Sequence, residues 1–261
     1  NALKDYDKAI DLAPEEASSY NNRADFYKDY VQEYDLALKD YAKAIALNSN
    51  DYQTSRAINN RATIYNKQGK FELASKEYTK AINLNPEYAL FYSNRADAYL
   101  KLENYENALI DYTKTIELDK DNPYQYEKRA DYYVVIEDYT NALKDYDKAI
   151  DLAPEEASSY NNRADFYKDY VQEYDLALKD YAKAIALNSN DYQTSRAINN
   201  RATIYNKQGK FELASKEYTK AINLNPEYAL FYSNRADAYL KLENYEDALI
   251  DYTKTIELDK D

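Results

Sequence analysis

The sequence predicts an all-α solenoid, an array of short helical units that stack on one another. Three observations lead to this fold class: a long internal duplication, a short phrase that recurs seven times, and apolar residues spaced as on one face of a helix. The duplication is nearly complete, because residues 1–121 recur at 141–261 with a single change, Asn107 against Asp247. A chain that copies itself in this way usually forms an array in which each unit covers its neighbour.

The dipeptide Arg-Ala marks a smaller unit inside the 140-residue block. Seven arginines of this dipeptide are spaced by 38, 34, 34, 34, 38 and 34 residues, namely Arg23, Arg61, Arg95, Arg129, Arg163, Arg201 and Arg235. Apolar residues around one of them recur at i, i+4 and i+7, namely Tyr92, Ala96 and Tyr99. The phrase that follows has them at i, i+3, i+7 and i+11, namely Tyr105, Ala108, Tyr112 and Ile116. Both spacings favour amphipathic helices, so each unit is predicted to contain two.

Proline and glycine mark the ends of these helices. A proline follows the second helix of four units, at Pro14, Pro86, Pro154 and Pro226, and it prevents the helix from continuing. The two glycines, Gly69 and Gly209, lie between the helices of a unit, where a left-handed C-cap residue is expected. Glu103 and Glu137 occupy equivalent turns, which must close by another geometry or accept some strain.

A 34-residue helix-turn-helix with these fixed points resembles the tetratricopeptide repeat (TPR). The residues that carry the resemblance in one unit are Ala62, Tyr65, Gly69, Phe71, Ala74, Tyr78, Ala81 and Pro86. The family's Trp is replaced here by Tyr or Ile, and the turn Gly is mostly missing. The resemblance implies a right-handed superhelix whose first helices line a concave groove, and it implies that the groove binds protein segments.

In this register the chain is predicted to be one continuous array of fifteen helices. Residues 1–15 form an orphan second helix, and full repeats follow at 16–50, 51–87, 88–122, 123–156, 157–190, 191–227 and 228–261. The 38-residue spacings come from one extra residue in the turn 29–34 and three in the connection 48–55, with the same insertions after Asp169 and Asn188. These insertions predict local kinks. The uncapped ends predict end-to-end self-association.

Each repeat pairs its Arg with an acid just before the Tyr of the second helix. The pairs are Arg23 with Asp40, Arg61 with Glu77, Arg95 with Asp111, Arg129 with Asp145, Arg163 with Asp180, Arg201 with Glu217, and Arg235 with Asp251. We expect ion pairs that fix the register of the two helices, because an Arg on an apolar helical face needs a partner.

Tyrosine supplies most of the predicted core. Of the 33 tyrosines, 25 fall at four recurring core positions, and the other eight are Tyr30, Tyr52, Tyr88, Tyr124, Tyr132, Tyr170, Tyr192 and Tyr228. Three of these, Tyr88, Tyr124 and Tyr228, lie at junctions between repeats, where they either staple a helix start or line the groove.

Composition and charge exclude several functions. The chain has no Cys or His, so it has neither zinc-finger ligands nor a thiol nucleophile, and the carboxylates are spaced as on exposed helix faces. We predict no enzymatic activity, no cofactor and no metal. A net charge of −13 argues against nucleic acid and acidic membranes as partners. Localisation stays open, with the cytoplasm slightly favoured.

The candidate binding residues follow from the resemblance, which selects the inner positions of the first helices. They are Asn21, Asn22, Asp25, Asn59, Asn60, Thr63, Ser93, Asn94, Asp97, Glu127, Lys128, Asp131, Asn161, Asn162, Asp165, Asn199, Asn200, Thr203, Asn234 and Asp237. A carboxylate clamp of the kind that binds acidic C-termini is rejected, because its Lys place holds Asn, Ser or Glu. We expect a neutral or Lys/Arg-containing protein segment as ligand; the alternative is a structural spacer without a dedicated ligand.

Overall fold

The computed structural model describes residues 2–47, 50–187 and 190–259, and within these ranges it contains fifteen α-helices and no strand. The helices are α1 Ala2–Leu12, α2 Ala17–Phe26, α3 Tyr34–Leu47, α4 Asp51–Lys67, α5 Phe71–Leu84, α6 Ala89–Lys101, α7 Tyr105–Leu118, α8 Pro123–Val135, α9 Tyr139–Leu152, α10 Ala157–Phe166, α11 Tyr174–Leu187, α12 Asp191–Lys207, α13 Phe211–Leu224, α14 Ala229–Lys241 and α15 Tyr245–Leu258. The predicted all-α class and number of helices are confirmed.

The helices form two compact units, Asn1–Tyr132 and Tyr133–Asp261. We call the even-numbered helices first helices and the odd-numbered ones second helices. Within each unit a first helix packs on the second helix of its own repeat and on the second helix before it, as α4 packs on α5 and α3. First helices of neighbouring repeats also touch, and together they form what we call the first-helix face of the unit. That the units belong to one array stays a prediction.

Alanine and tyrosine share the core of each repeat. Ala62 and Ala74 are fully buried, which lets α4 and α5 approach closely, and Tyr78 of α5 is 1% exposed. Tyrosine suits such a thin core because the ring fills space while the hydroxyl reaches a partner at the margin. Tyr132 was not among the predicted core positions, yet it is buried with its ring centroid 5.7 Å from that of Tyr112.

The turns between paired helices share one backbone conformation. Gly69 has φ +73°, as expected for its left-handed C-cap position. Glu103, Glu137 and Glu243 have φ of 56°, 61° and 58° in the equivalent turns. Glutamate therefore accepts the left-handed conformation rather than closing the turn in another way, and its Cβ makes that conformation unfavourable.

The two insertions lengthen helices. The extra residue of the turn 29–34 enters a π-helical segment, Tyr27–Val31, which continues α2 and ends at Gln32 with φ 59°. A π-helical turn takes in one added residue without breaking the helix. The other insertion extends the start of α4, which has 17 residues against 13 in α6. Residues 48, 49, 188 and 189 of the predicted insertions lie outside the described residues.

The predicted ion pairs join the two helices of a repeat in six cases: Arg23–Asp40, Arg61–Glu77, Arg95–Asp111, Arg163–Asp180, Arg201–Glu217 and Arg235–Asp251. The pair Arg129–Asp145 stays a prediction. Burial alone would raise the pKa of Glu77, but hydrogen bonds from Lys80 and Arg61 outweigh it and lower that pKa. Glu77 is therefore charged and held against α4 by Arg61.

Candidate protein-binding face

One column of the predicted groove lies beneath the surface. Asn21, Asn59 and Ser93 are at most 3% exposed, and Asn161 and Asn199 in the second unit are buried as well. The Asn21 amide nitrogen donates to both the backbone and side-chain oxygens of Gln53, each at 3.0 Å. Because Gln53 lies on the next first helix, this column joins neighbouring repeats. Its side chains are removed from the accessible face by that packing.

The next column along the helix forms a ladder of amides across the first helices. Asn60 donates to Asp25 at 2.8 Å, Asn59 donates to Asn60 at 3.0 Å, and Asn94 donates to Asn59 at 2.9 Å. The second unit repeats the ladder through Asp165, Asn200, Asn199 and Asn234. Asn59 and Asn199 of the ladder are buried, and its other four asparagines are partly exposed. All of them have already used some of their donors and acceptors on one another or on an aspartate.

The third column contains the aspartates that suggested a basic ligand. Their carboxylates form hydrogen bonds and ion pairs with other residues of the chain. The carboxylate of Asp25 accepts hydrogen bonds from the Tyr41 hydroxyl and the Arg56 guanidinium, in addition to Asn60. Asp97 accepts from the Tyr112 hydroxyl at 2.6 Å and from Lys128 Nζ at 2.7 Å. The negative charge at these positions is therefore neutralised by a cation from the next first helix.

The second unit shows the same pattern with one difference. Asp165 accepts from Tyr181 and Arg196, as Asp25 does from its own partners. Asp237 accepts from the Tyr252 hydroxyl at 2.5 Å, and within the described part of the chain no cation pairs with it. Thr63 and Thr203 occupy this column in two further repeats, and each accepts a hydrogen bond from a tyrosine hydroxyl at 3.2 Å. A tyrosine hydroxyl is therefore the partner that these six positions share.

Burial and the neighbouring carboxylates keep these tyrosines neutral. Burial raises the pKa of Tyr41, Tyr112 and Tyr181 well above the usual value, and the adjacent aspartate raises it further. Burial also raises the pKa of Tyr78, to about 12, although it faces a threonine. A neutral hydroxyl is a donor, so each aspartate keeps its tyrosine hydrogen bond throughout the physiological pH range.

Three predicted residues of α8 complete the face of the first unit. Glu127 and Lys128 are partly exposed and Asp131 is exposed. Lys128 is fixed both by Asp97 and by the Tyr124 ring, whose centroid lies 5.8 Å from its Nζ. The predicted groove residues that remain at least partly accessible are therefore those of the amide and aspartate columns, including Asn22 and Asn162.

A cleft of about 310 Å³ opens on this face between α4, α6 and α8. Its lining residues are Asn66, Asp97, Leu100, Lys101, Tyr112, Lys128 and Asp131. The side-chain oxygen of Asn66 is buried and has no hydrogen-bond partner. Lys101 is exposed and makes no ion pair with any described residue. The cleft thus combines an open acceptor, an unpaired ammonium and the apolar side chain of Leu100.

A smaller cleft, of about 180 Å³, lies on the first-helix face of the second unit. Its lining residues are Tyr192, Arg196, Asn199, Asn200, Tyr228, Leu230 and Phe231. The Tyr228 ring packs 4.9 Å from Phe231 and 6.4 Å from Tyr192, measured between ring centroids. Tyr228 therefore has both roles that the sequence left open, since it staples the start of α14 and lines a cleft.

Comparison with known families identifies the fold. Models of the tetratricopeptide repeat match residues 62–103 and 202–243, residues 89–122 and 229–261, and residues 126–156. Together these matches span more than half of the chain. The chain belongs to the tetratricopeptide repeat family. No curated protein sequence matches it significantly.

Solved TPR structures share this fold at low sequence identity. Yeast Tom70 superposes with a TM-score of 0.78 at 22% identity over 100% of this chain and 55% of its own. A TPR protein from Parabacteroides merdae gives 0.68 at 21% identity, over 93% of each chain. Human IFIT1, solved as a dimer with PPP-AAAA, gives 0.64 at 16% identity over 99% of this chain and 58% of its own. This chain thus spans about half the length of Tom70.

Two further observations concern the described residues alone. No helix among them combines the length and the apolar character needed to cross a bilayer. No group of three or more acidic side chains in those ranges is arranged to hold a metal ion.

Proposed function

We propose that the chain is a protein-interaction scaffold that binds a segment of a partner protein on the first-helix face of its first unit. The TPR fold supports the general role of a scaffold. The observation that carries the proposal is the cleft between α4, α6 and α8, because it contains two polar groups that nothing in the described chain satisfies, the Asn66 oxygen and the Lys101 ammonium. A buried acceptor without a donor is costly, and a ligand N–H would remove that cost.

The chemistry of the cleft favours an extended neutral peptide. Asn66 accepts a backbone N–H, Lys101 donates to a carbonyl oxygen of the same segment, and Leu100 contacts an apolar side chain between them. Asp97 is held by Tyr112 and Lys128, so a basic ligand would have to displace an existing cation. The engaged carboxylates therefore support the neutral alternative over the basic one.

A displayed library of random peptides tests the proposal. Peptides are selected on the whole chain and then measured against a variant with Asn66→Leu and Lys101→Glu. Asn66→Leu removes an unsatisfied polar group, so the free protein keeps its stability while losing the acceptor. Lys76→Glu on α5 is the matched control, because it makes the same charge change at an exposed residue of a second helix.

We expect selected peptides to bind the Lys76→Glu control as tightly as the parent chain. They should bind the double variant at least about tenfold more weakly, a loss equivalent to one charge-assisted hydrogen bond. Failure to enrich any peptide would favour the structural spacer. Enriched peptides that bind the double variant equally well would place the ligand elsewhere.

A further inference from the structure

A cleft of about 390 Å³ lies in the second unit, between α9 and the segment that continues α10. That segment, Tyr167–Val171, is π-helical, as Tyr27–Val31 is in the first unit, and we call it the π segment. The residues that line the cleft are Tyr139, Thr140, Leu143, Lys144, Asp147, Phe166, Tyr167 and Val171. None of them belongs to the predicted groove, so this cleft is a different site from the one in the proposed function.

The residue inserted after Asp169 shapes one side of this cleft. The π segment takes in the insertion and ends at Gln172, which has φ 61°. It places Tyr170 and Val171 beyond the end of the regular helix, and the ring of Tyr170 stacks on that of Phe166 with 6.3 Å between centroids. The insertion therefore adds an apolar side to the cleft, and π-helical turns of this kind are frequent at functional sites.

Aromatic rings form the base of the cleft. Phe166 is 2% exposed. The rings of Tyr139, Tyr146 and Tyr167 lie 5.9, 5.5 and 5.8 Å from it, measured between centroids. These contacts hold the base in place without a ligand. A cleft that is already formed, mostly apolar and bordered by a few polar groups is the usual form of a binding site.

The cleft has one unpaired charge, and that charge is positive. Of its two charged lining residues, Asp147 accepts a hydrogen bond from Arg163 Nη1 at 2.6 Å. Lys144 is exposed, and its Nζ donates to Asn141 Oδ1 at 3.1 Å. Among the described residues Lys144 makes no ion pair. A carboxylate on a ligand would therefore meet an ammonium group without a competing anion.

We propose that this cleft, which we call the π-segment cleft, binds a segment of a partner protein in which an aromatic or branched aliphatic residue lies next to an Asp or Glu. The apolar side chain packs on Phe166 between Leu143 and Val171, and the carboxylate pairs with Lys144. This ligand differs in charge from the neutral segment proposed for the first unit, so the inference goes beyond the proposed function.

A protein segment suits the π-segment cleft better than a free small molecule does. The cleft is open along the surface, so a ligand buries one side and leaves the other in water. Sites for small molecules bury most of the ligand surface instead. A longer segment also reaches Thr140 on α9 and Tyr170 on the π segment, which are both exposed.

Two small probes test the recognition of charge. Phenylbutanoate and phenylbutylamine share an apolar body and carry opposite charges, and saturation-transfer difference NMR follows their binding to the whole chain. We expect phenylbutanoate to bind with a Kd of roughly 1 mM, at least about fivefold more tightly than the amine. Lys144→Glu should weaken its binding at least about fivefold. Lys216→Glu makes the same charge change at an exposed lysine of α13 and should weaken it less than about twofold.

A second pair of variants tests the apolar side of the cleft. Val171→Ser and Leu213→Ser are matched, because the two side chains lie in the same unit and are 39% and 41% exposed. We expect Val171→Ser to weaken the binding of phenylbutanoate by at least about threefold and Leu213→Ser to leave it unchanged. Far-ultraviolet circular dichroism checks that both variants keep the helical content of the parent chain.

The displayed peptide library then identifies the segment and separates the two sites. Peptides of the π-segment cleft should contain an acid beside an apolar residue, lose binding to Lys144→Glu, and keep binding to the double variant Asn66→Leu with Lys101→Glu. Either proposal can therefore fail alone.

Three results would overturn the inference: no binding of either probe, equal binding of the amine, or binding that Lys144→Glu leaves intact. Phenylbutanoate binding without any enriched acidic peptide would also overturn it, in favour of a small anion. Self-association of the chain that Lys144→Glu abolishes would assign the cleft to a second copy instead.

Discussion

Replacing Arg95 with Met tests whether the ion pair between paired helices is required for stability. Arg95 donates to both oxygens of Asp111, from Nε at 2.7 Å and from Nη2 at 2.8 Å, and to Thr79 at 2.9 Å. Asp111 is 2% exposed, so water cannot replace the lost donors. Burial would lower the pKa of Arg95, but the bonds to Asp111 outweigh it and raise that pKa. Burial raises the pKa of Asp111 in spite of its bonds to Arg95, so the carboxylate depends on that arginine to stay charged.

The expected decrease in the free energy of unfolding of Arg95→Met follows from these contacts. Two charge-assisted hydrogen bonds at roughly 1.5–3 kcal/mol each give about 3–6 kcal/mol, which agrees with the roughly 3–5 kcal/mol lost when one partner of a buried pair is removed. The double variant Arg95→Met with Asp111→Leu leaves no buried charge, and we expect it to recover most of the loss. Lys80→Met is the control, because Lys80 is 61% exposed and Glu77 keeps Arg61; it should cost less than about 1 kcal/mol.

Urea denaturation followed by far-ultraviolet circular dichroism gives the free energy of unfolding for each variant. Arg95→Met as stable as the parent chain would refute the requirement for the pair. A double variant as unstable as the single one would also refute the reasoning. It would show that the free energy of unfolding fell because the packing of the arginine was lost, and not because the carboxylate of Asp111 was left unpaired.

Two further predictions concern tyrosine ionisation and the turns. Because burial raises the pKa of Tyr78 from 10 to about 12, the contribution of this tyrosine to stability is complete below pH 10 and is lost as the pH rises toward 12. The urea midpoint of unfolding should therefore fall over that window, together with a rise in tyrosinate absorbance. A midpoint that does not change with pH there would contradict this prediction. Glu103→Gly should raise the free energy of unfolding by about 1 kcal/mol and Gly69→Glu should lower it by a similar amount, because both positions have a positive φ that a residue with a Cβ adopts unfavourably. Urea midpoints equal to that of the parent chain would show that the turns are unstrained.

Features that depend on residues close together in sequence could be predicted well. The helical periodicity around Tyr105 and Tyr112, the left-handed turn at Gly69 and the ion pair of Arg95 with Asp111 all join positions within one repeat. Each repeat contains the whole pattern, and seven copies of it reinforce one another. A local rule that recurs seven times is rarely accidental.

The candidate binding residues were predicted less well, because their partners come from the next repeat. Asn21 is buried by Gln53, and Asp25 is engaged by Arg56, each on the following first helix. A signal for the second contact was present in the sequence. An acid is followed 31 residues later by a cation in Asp25–Arg56, Asp97–Lys128 and Asp165–Arg196. That spacing distinguishes a satisfied aspartate from one available to a ligand.

Paired helices and their apolar sides are thus specified locally, because hydrophobic periodicity and turn residues act over a few residues. Which polar side chains remain available to a ligand depends instead on how the helices pack. Stacking brings a neighbouring helix against each first helix, so an asparagine or aspartate that is exposed on an isolated helix becomes buried or paired, whereas the buried side-chain oxygen of Asn66 is left without a donor.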